Sequence, residues 1–270
     1  MNYNFNKLMI IIIFIIILCI TQYINKYNIS NQDFNTINIY LIQEDKIKDY
    51  MRDNKIFIIR NFIKDIYITP DYIFKKYKDE IVEVHTTINE QYNQKIIKMT
   101  INDFFIRYKN KILYIKENLD FMYKSNIHSI FDNKIKKYFK NWIRYYCIWI
   151  GSKGSKTGLH KDMEEENFLL QLYGTKKIYI FKSDKDTIFI PREKTEGSAL
   201  LSSIDFWKTK PNVVWKEIIL NKGDILYLPN GWWHCAENLT ETIAISCRTT
   251  TLINFLYFII TLCIEKFNSI

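Results

Sequence analysis

Several residue types that characterise particular protein classes are scarce in this chain of 270 residues. It has seven glycines and four prolines, too few for a collagen-like or proline-rich disordered chain. Its five cysteines, an odd number, include no CxxC pair, which argues against a disulfide framework and a zinc site. Basic residues never occur more than two in a row, so the net charge of +9 indicates a dispersed lysine-rich surface more than a nucleic-acid-binding patch.

Apolar and aromatic residues are abundant by contrast, at 48% and 16% of the chain. This composition disfavours intrinsic disorder, and the length suits one domain of ordinary size with appendages. A polar, asparagine-rich segment at residues 25–38 indicates a linker. The domain is therefore placed at residues 39–250.

Both ends of the chain carry hydrophobic segments. Residues 1–24 include an apolar run, residues 8–24, that gives about 25 Å of helix, the lower end of what crosses a bilayer. We interpret it as a single-pass membrane anchor; the alternative is a cleaved signal peptide that leaves the domain in a secretory or lumenal compartment. The C-terminal segment, residues 251–270, predicts a helix that packs on the domain, mediates a homodimer or forms a second membrane span.

Between these ends, the sequence first predicts a mixture of helices and strands and then mainly strands. The first half predicts helices at residues 44–54, 70–77 and 100–109, the last two with Thr69 and Thr100 as caps, and strands at 55–60, 81–87 and 111–115. From residue 143 onward many short strands follow one another at regular spacing, which predicts a barrel or jelly roll. These strands are at residues 143–150, 157–162, 167–173, 176–181, 213–220, 225–228, 232–237 and 242–250.

Three residues in the strand-rich half have the chemistry of a metal site. His160 and Asp162 lie two residues apart on a predicted strand, so their side chains share one face. His234 follows a Pro-Asn-Gly turn and enters from another strand. Two histidines and one carboxylate are the facial triad of non-haem Fe(II) oxygenases, which leaves coordination positions open. The alternative is a barrel that has kept its fold without catalysis.

A lysine follows shortly after this motif. Lys176 begins a strand on which it shares one face with Ile178 and Ile180. If that face is turned into the barrel, Lys176 is a buried ammonium, which requires an anionic partner; a dicarboxylate cosubstrate would supply one. Residues 164–166, three consecutive glutamates, are interpreted as a solvated loop.

Two stretches in this half, GSKTGLHKDMEEENFLLQLYGTKK and GDILYLPNGWWH, resemble the JmjC and cupin-like 2-oxoglutarate dioxygenases. The likeness is strongest to small hydroxylases similar to the asparaginyl hydroxylase of hypoxia-inducible factor, and KIFIIRNF and MTINDFFIRYKN extend it upstream. It covers about residues 39–250. The resemblance implies a mainly β fold with some α, a double-stranded β-helix of the cupin type with flanking helices.

The resemblance also implies roles for individual residues. His160, Asp162 and His234 would bind Fe(II), which is both the metal site and the catalytic site. Lys176 would pair with the distal carboxylate of 2-oxoglutarate.

Four further positions match the neighbourhood of that site. The hydroxyls of Thr157 and Tyr114 would help to hold the same carboxylate, and Asn167 would line the cosubstrate pocket. Arg248 departs from the pattern, because the asparaginyl hydroxylase has an asparagine there, near the metal. An arginine at this position either pairs with a carboxylate or points outward.

The implied activity uses Fe(II), 2-oxoglutarate and O2 to hydroxylate a protein side chain. Two alternatives remain open: hydroxylation of a tRNA or other nucleic-acid base, which the basic charge permits, and a catalytically inactive, membrane-tethered binding protein. The expected partners are therefore a protein substrate and, through the N-terminal segment, a membrane.

Overall fold

The computed structural model describes residues 37–86, 95–139, 143–181 and 199–252, with isolated positions at 7, 13–14, 16–17 and 254–255. The predicted N-terminal hydrophobic helix, the linker and most of the C-terminal hydrophobic segment lie outside the described residues, so they remain predictions. Among the helices that are described, none has the length and apolar character needed to cross a bilayer.

The N-terminal part alternates short helices with strands. Thr69 Oγ1 accepts a hydrogen bond from the amide of Tyr72, and Thr100 Oγ1 accepts one from the amide of Asp103, so both act as the predicted caps. Sequence analysis missed two further helices, at Leu119–Ser125 and His128–Ile135. The elements are β1 (Ile39–Leu41), a 3₁₀ turn (Glu44–Lys46), α1 (Ile47–Arg52), β2 (Ile56–Ile59), α2 (Pro70–Tyr77), β3 (Ile81–His85), β4 (Ile96–Thr100), α3 (Ile101–Arg107), β5 (Tyr114–Asn118), α4 (Leu119–Ser125) and α5 (His128–Ile135).

The C-terminal part consists of strands, close to their predicted bounds. The short strand β10 was not predicted. The strands are β6 (Ile143–Gly151), β7 (Lys156–Asp162), β8 (Glu166–Tyr173), β9 (Lys176–Phe181), β10 (Ala199–Leu201), β11 (Trp215–Leu220), β12 (Ile225–Pro229), β13 (Trp233–Asn238) and β14 (Thr242–Thr250).

These strands form two sheets that face each other. The larger has the order β1-β2-β12-β8-β14-β6-β5-β3-β4, and the smaller has the order β10-β7-β13-β9-β11. From β6 to β9 and again from β11 to β14, successive strands alternate between the sheets, as they do in a jelly roll. The described residues confirm the predicted mainly β, cupin-type architecture with flanking helices.

Both faces of each sheet contain buried residues. The outer face of the large sheet packs against the helices in the largest apolar cluster. Between the sheets, Ile178 and Ile180 contact apolar residues of β2 and β12. Lys176, on the same face, is also buried, as the alternation predicted. Tyr179 and Phe181, on the opposite face of β9, pack against Phe206, which covers the small sheet from outside.

Candidate metal centre

The pairing of β7 with β13 brings three chemically matched side chains together. His160 lies directly opposite His234, and Asp162 is two residues further along β7. Each histidine Nε2 is 3.7 Å from an oxygen of Asp162, and ligand atoms from all three residues lie within 4.8 Å of one another. Two ligands about 2.1 Å from one metal can be at most about 4.2 Å apart, so both His–Asp separations fit a shared ion. We call these three residues the metal centre.

Backbone carbonyls set the orientation of both imidazoles. Nδ1 of His160 is 2.8 Å from the carbonyl oxygen of Gly158, and Nδ1 of His234 is 3.1 Å from that of Trp232. Because a carbonyl only accepts, Nδ1 carries the proton in each ring and Nε2 keeps its lone pair. This is the arrangement that metal-binding histidines use.

The charges of the metal centre also suit a divalent cation. Burial lowers the pKa of His160 to about 3, and burial lowers the pKa of His234 as well, so both rings are neutral near pH 7. Burial alone would raise the pKa of Asp162, but the neighbouring Arg248 guanidinium holds it below its usual value. The donor set is therefore two neutral imidazoles and one carboxylate, which fits non-haem iron.

The carboxylate of Asp162 is held but incompletely satisfied. Its Oδ2 accepts a hydrogen bond of 2.7 Å from Asn167 Nδ2. Its Oδ1 is buried and accepts no hydrogen bond from the part of the chain that the structure describes, although Arg248 Nη2 lies 3.3 Å away. A buried oxygen without a donor calls for a missing partner, and a metal ion at the metal centre would be one. Asn167, expected to line the cosubstrate pocket, thus contacts a metal ligand.

A β-bulge places Thr157 on the same face as the metal ligands. The two-residue step from His234 to Ala236 on β13 lies opposite a three-residue step from His160 to Thr157 on β7, which changes the alternation of β7 by one. Thr157 Oγ1 accepts a hydrogen bond of 2.8 Å from the amide of Ala236. The spacing in the sequence alone would have put Thr157 on the opposite face.

Lys176 lies on β9, next to β13. Its ammonium donates to Tyr114 Oη at 3.1 Å and to Asn238 Oδ1 at 2.7 Å, and all three residues are buried. We call them the lysine pocket. Gly151 lies against it: a Cβ at this position would come within 2.3 Å of Asn238 Nδ2 and 2.9 Å of Tyr114 Cδ2, so only glycine leaves room there.

Arg248 points inward and pairs with carboxylates, one of the two outcomes that the sequence left open. It is almost fully buried on β14, forms an ion pair with Glu117 and lies 3.7 Å from Glu164 Oε1. The interpretation of residues 164–166 as a solvated loop is wrong, because Glu164 is buried and accepts a hydrogen bond from Tyr145. The Arg248 guanidinium, 84 positions from Glu164 in the sequence, makes the burial of Glu164 possible.

Sequence reasoning missed Asn238 and Glu117 at the site. Asn238 begins an Asn-Leu-Thr glycosylation sequon, a surface signal, but its side chain is buried and bound to Lys176. Glu117 had no distinguishing signal in the sequence. On a regular strand Glu117, three residues after Tyr114, would point to the opposite face, and the register shift between Ile115 and Asn118 that changes this cannot be read from the sequence.

A jelly roll with two histidines and one carboxylate between its sheets defines the class of 2-His-1-carboxylate metal proteins of the cupin type. A family model for the cupin-like domain matches residues 42–258. The match covers well over half of the chain, which therefore belongs to this family, as the motifs indicated. Its JmjC members use Fe(II), 2-oxoglutarate and O2 and are oxygenases.

Individual relatives match over part of the chain. JmjC domain-containing protein D of Dictyostelium discoideum is 32% identical over 104 residues, 36% of this chain and 23% of the relative. Lysine-specific demethylase 8 of Danio rerio is 25% identical over 188 residues, 58% of this chain and 42% of the relative. The chain thus spans less than half the length of either relative.

The solved structure of E. coli ycfD shows the same fold. It superposes with a TM-score of 0.51 over 73% of this chain and 49% of that one, at 14% sequence identity. At that identity the likeness concerns the fold alone.

Proposed function

We propose that this protein is an Fe(II)- and 2-oxoglutarate-dependent hydroxylase that acts on a protein side chain. The observation that carries the proposal is the convergence of His160, Asp162 and His234 with both Nε2 atoms turned toward the carboxylate. The bound iron and 2-oxoglutarate would supply the oxidising power to insert one atom of O2 into a C–H bond, with CO2 and succinate as coproducts.

The residues of the chain perform the remaining tasks. The metal centre binds the ion, and the carbonyls behind its two imidazoles fix their direction. Lys176 receives the distal carboxylate of 2-oxoglutarate, with Tyr114 and Asn238 positioning the ammonium. The neighbouring hydroxyl of Thr157 already accepts a backbone amide hydrogen, so it can donate its own proton to that carboxylate. The burial of these groups keeps bulk water from the reacting centre.

A protein is the favoured substrate class for two reasons. One relative carries the name of a lysine-specific demethylase, an enzyme for protein side chains. The basic residues of this chain do not form the runs that a nucleic-acid-binding surface would have. Hydroxylation of a tRNA or other nucleic-acid base is the second candidate, supported by the net charge of +9.

The activity can be tested without knowing the substrate. The metal-free protein is titrated anaerobically with Fe(II) and 2-oxoglutarate, O2 is then admitted, and succinate is measured against the His160→Ala variant. We expect succinate from the unaltered protein only. Equal amounts from both would leave the inactive binding protein as the explanation. Addition of a peptide library or of tRNA, with detection of the mass of one added oxygen atom, then separates the two substrate classes.

We also propose that residues 8–24 hold the protein on a membrane, with the domain of residues 39–250 beside it. The support is the apolar run without a polar face, followed by a polar linker. The side of the membrane on which the domain lies follows from protease protection of the protein in sealed vesicles.

A further inference from the structure

Arg248 is the largest side chain among the fully buried residues of the described structure. Its Nη1 donates to Glu117 and lies 3.7 Å from Glu164 Oε1, while its Nη2 lies 3.3 Å from Asp162 Oδ1. One guanidinium therefore contacts three carboxylates. Only one of them belongs to the metal centre.

The surroundings keep this arrangement in place. On β14, Arg248 is paired with Asn167 on one side and with Tyr145 on the other. Asn167 donates to Asp162 and Tyr145 donates to Glu164, so the neighbours of Arg248 bind two of the carboxylates that it contacts. Asp162 and Glu164 are thereby held by residues of β8 and β6, the two strands that flank β14.

Glu117 is held in an unusual backbone conformation. Its φ angle is +47°, in the left-handed region that residues other than glycine rarely occupy and that persists only where surrounding contacts impose it. Glu117, His160 and Arg248 line one small pocket beside the metal centre. The carboxylate of Glu117 thus borders the space next to a metal ligand.

Two additional carboxylates create a problem for a metal that must keep open positions. A site of two histidines and one carboxylate works because cosubstrate and O2 occupy the remaining positions. Carboxylates are good ligands for such cations, and buried anions gain greatly from pairing with a cation. Without another cation, Glu117 and Glu164 would be drawn to the metal.

We propose that Arg248 is a positioning residue that withholds Glu117 and Glu164 from the metal and so keeps coordination positions open for 2-oxoglutarate. The inference rests on the proposed function, because it assumes a metal at the metal centre. It gives a reason for the departure at position 248: an arginine is needed where two acidic side chains border the site.

The test compares three forms of the full-length protein, loaded with Co(II) as a spectroscopic probe. These are the unaltered protein, Arg248→Gln, and the triple variant Arg248→Gln/Glu117→Gln/Glu164→Gln. Each is titrated first with Co(II), following the visible d–d absorption, and then with 2-oxoglutarate. Circular dichroism verifies that each form is folded.

We expect Arg248→Gln to bind Co(II) at least as tightly as the unaltered protein, with an altered spectrum, and to bind 2-oxoglutarate at least tenfold more weakly. The triple variant should recover most of that affinity, because the competing carboxylates are gone. An affinity for 2-oxoglutarate within twofold of the unaltered protein in Arg248→Gln would overturn the proposal. So would weaker Co(II) binding in Arg248→Gln, or failure of the triple variant to recover.

Two further results separate this proposal from the proposed function. If the unaltered protein binds no Co(II), the proposed function fails first. If Arg248→Gln does not fold, Arg248→Lys replaces it, since lysine keeps the charge but offers one ammonium nitrogen where the guanidinium contacts carboxylates through both Nη atoms. Weakened 2-oxoglutarate binding in Arg248→Lys that Glu117→Gln reverses supports the proposal, and unchanged binding contradicts it.

Discussion

The metal centre and the lysine pocket are both buried between the sheets, yet they neutralise charge differently. Arg248, beside the metal centre, contacts the carboxylates of Asp162, Glu117 and Glu164. Lys176, in the lysine pocket, donates its two short hydrogen bonds to a phenol and an amide. One cation is matched by acids of the chain, and the other is positioned by neutral oxygens.

The difference is instructive because buried charge is costly in both places. Neutral acceptors orient an ammonium without cancelling its charge, which suits the proposed binding of a carboxylate by Lys176. The carboxylates around Arg248 neutralise its guanidinium, which suits a structural role.

Removing a metal ligand should have the largest effect on binding and activity, and it should change the metal centre without changing the lysine pocket. His160→Ala deletes one of three ligands, and we expect loss of Fe(II) binding and of succinate formation, each by at least two orders of magnitude. The lysine pocket is left intact. Metal content after dialysis and succinate release are the measurements, and a variant that keeps its iron contradicts the assignment of His160.

Lys176→Ala should instead weaken the lysine pocket and leave the metal centre intact. Removing one partner of a buried ion pair costs about 3–5 kcal/mol, so the affinity for 2-oxoglutarate should fall by about two to four orders of magnitude while Fe(II) binding stays nearly unchanged. Calorimetric titration of the metal-loaded protein measures both. Lys177→Ala, at the next and more exposed position, is the matched control and should have little effect. Unchanged 2-oxoglutarate affinity in Lys176→Ala would remove this residue from the pocket.

Acid should destabilise the metal-free protein through the metal centre. Burial lowers the pKa of His160 to about 3 and lowers that of His234, from about 6.5 in an unfolded chain. Below that value the unfolded chain takes up protons that the folded chain does not. The free energy of unfolding should therefore be highest above about pH 6.5 and fall toward pH 3, by at most about 1.4 kcal/mol per pH unit for each histidine.

Urea unfolding at pH 7.5, 6 and 5 in the presence of a chelator measures this slope. His160→Gln removes one titrating group, so its stability should depend less on pH. A slope equal to that of the unaltered protein would show that other groups cause the acid sensitivity. The lowered pKa of Asp162 acts in the same direction but at lower pH.

A smaller effect is expected for the phenol of the lysine pocket. Tyr114→Phe removes one hydrogen bond to the ammonium, and such a bond to a charged group contributes about 1.5–3 kcal/mol. Part of this is recovered when a carboxylate binds, so we expect about a tenfold loss in 2-oxoglutarate affinity. A loss as large as that of Lys176→Ala would mean that Tyr114 contacts the cosubstrate directly.

Deleting residues 1–30 should change neither the metal centre nor the lysine pocket. The variant should bind Co(II) and 2-oxoglutarate as the full chain does, but it should no longer sediment with membranes. Sedimentation of the full chain in the presence of high salt or carbonate is the comparison. If the full chain is released by salt alone, the membrane anchor prediction is wrong.

The parts of the fold that depend on local pattern were predictable. β14 has its predicted bounds, and Thr69 and Thr100 form the predicted caps. Helix α4 had a readable signal too, since Asn118 Oδ1 accepts a hydrogen bond from the amide of Phe121. The β-rich composition of the surrounding sequence obscured it. Strand β10 has three residues and pairs only with β7 among the described strands, so its formation depends on its partner.

The residues of the site likewise fall into two groups, those that the sequence could predict and those that it could not. His160 and Asp162 could be found because their spacing on one strand is itself the signal, and the turn before His234 placed that residue. The burial of Glu164 and Asn238 could not be found, because their partners, Arg248 and Lys176, lie 84 and 62 positions away. Three consecutive glutamates predict a solvated loop, and only the Arg248 guanidinium, distant in sequence, allows Glu164 to be buried. Thr157 depended on a bulge that spacing does not reveal.

The position of β14 constrains the order in which the protein is made. This strand comes last in the described sheet but lies in its middle, between β8 and β6. As the chain leaves the ribosome, β6 and β8 therefore remain without their shared partner until β14 has been synthesised, about a hundred residues after β6 and about eighty after β8. Exposed strand edges of this kind are prone to wrong pairing during folding. We expect the nascent chain to rely on chaperones until residue 250 emerges, and only then can iron find a complete site.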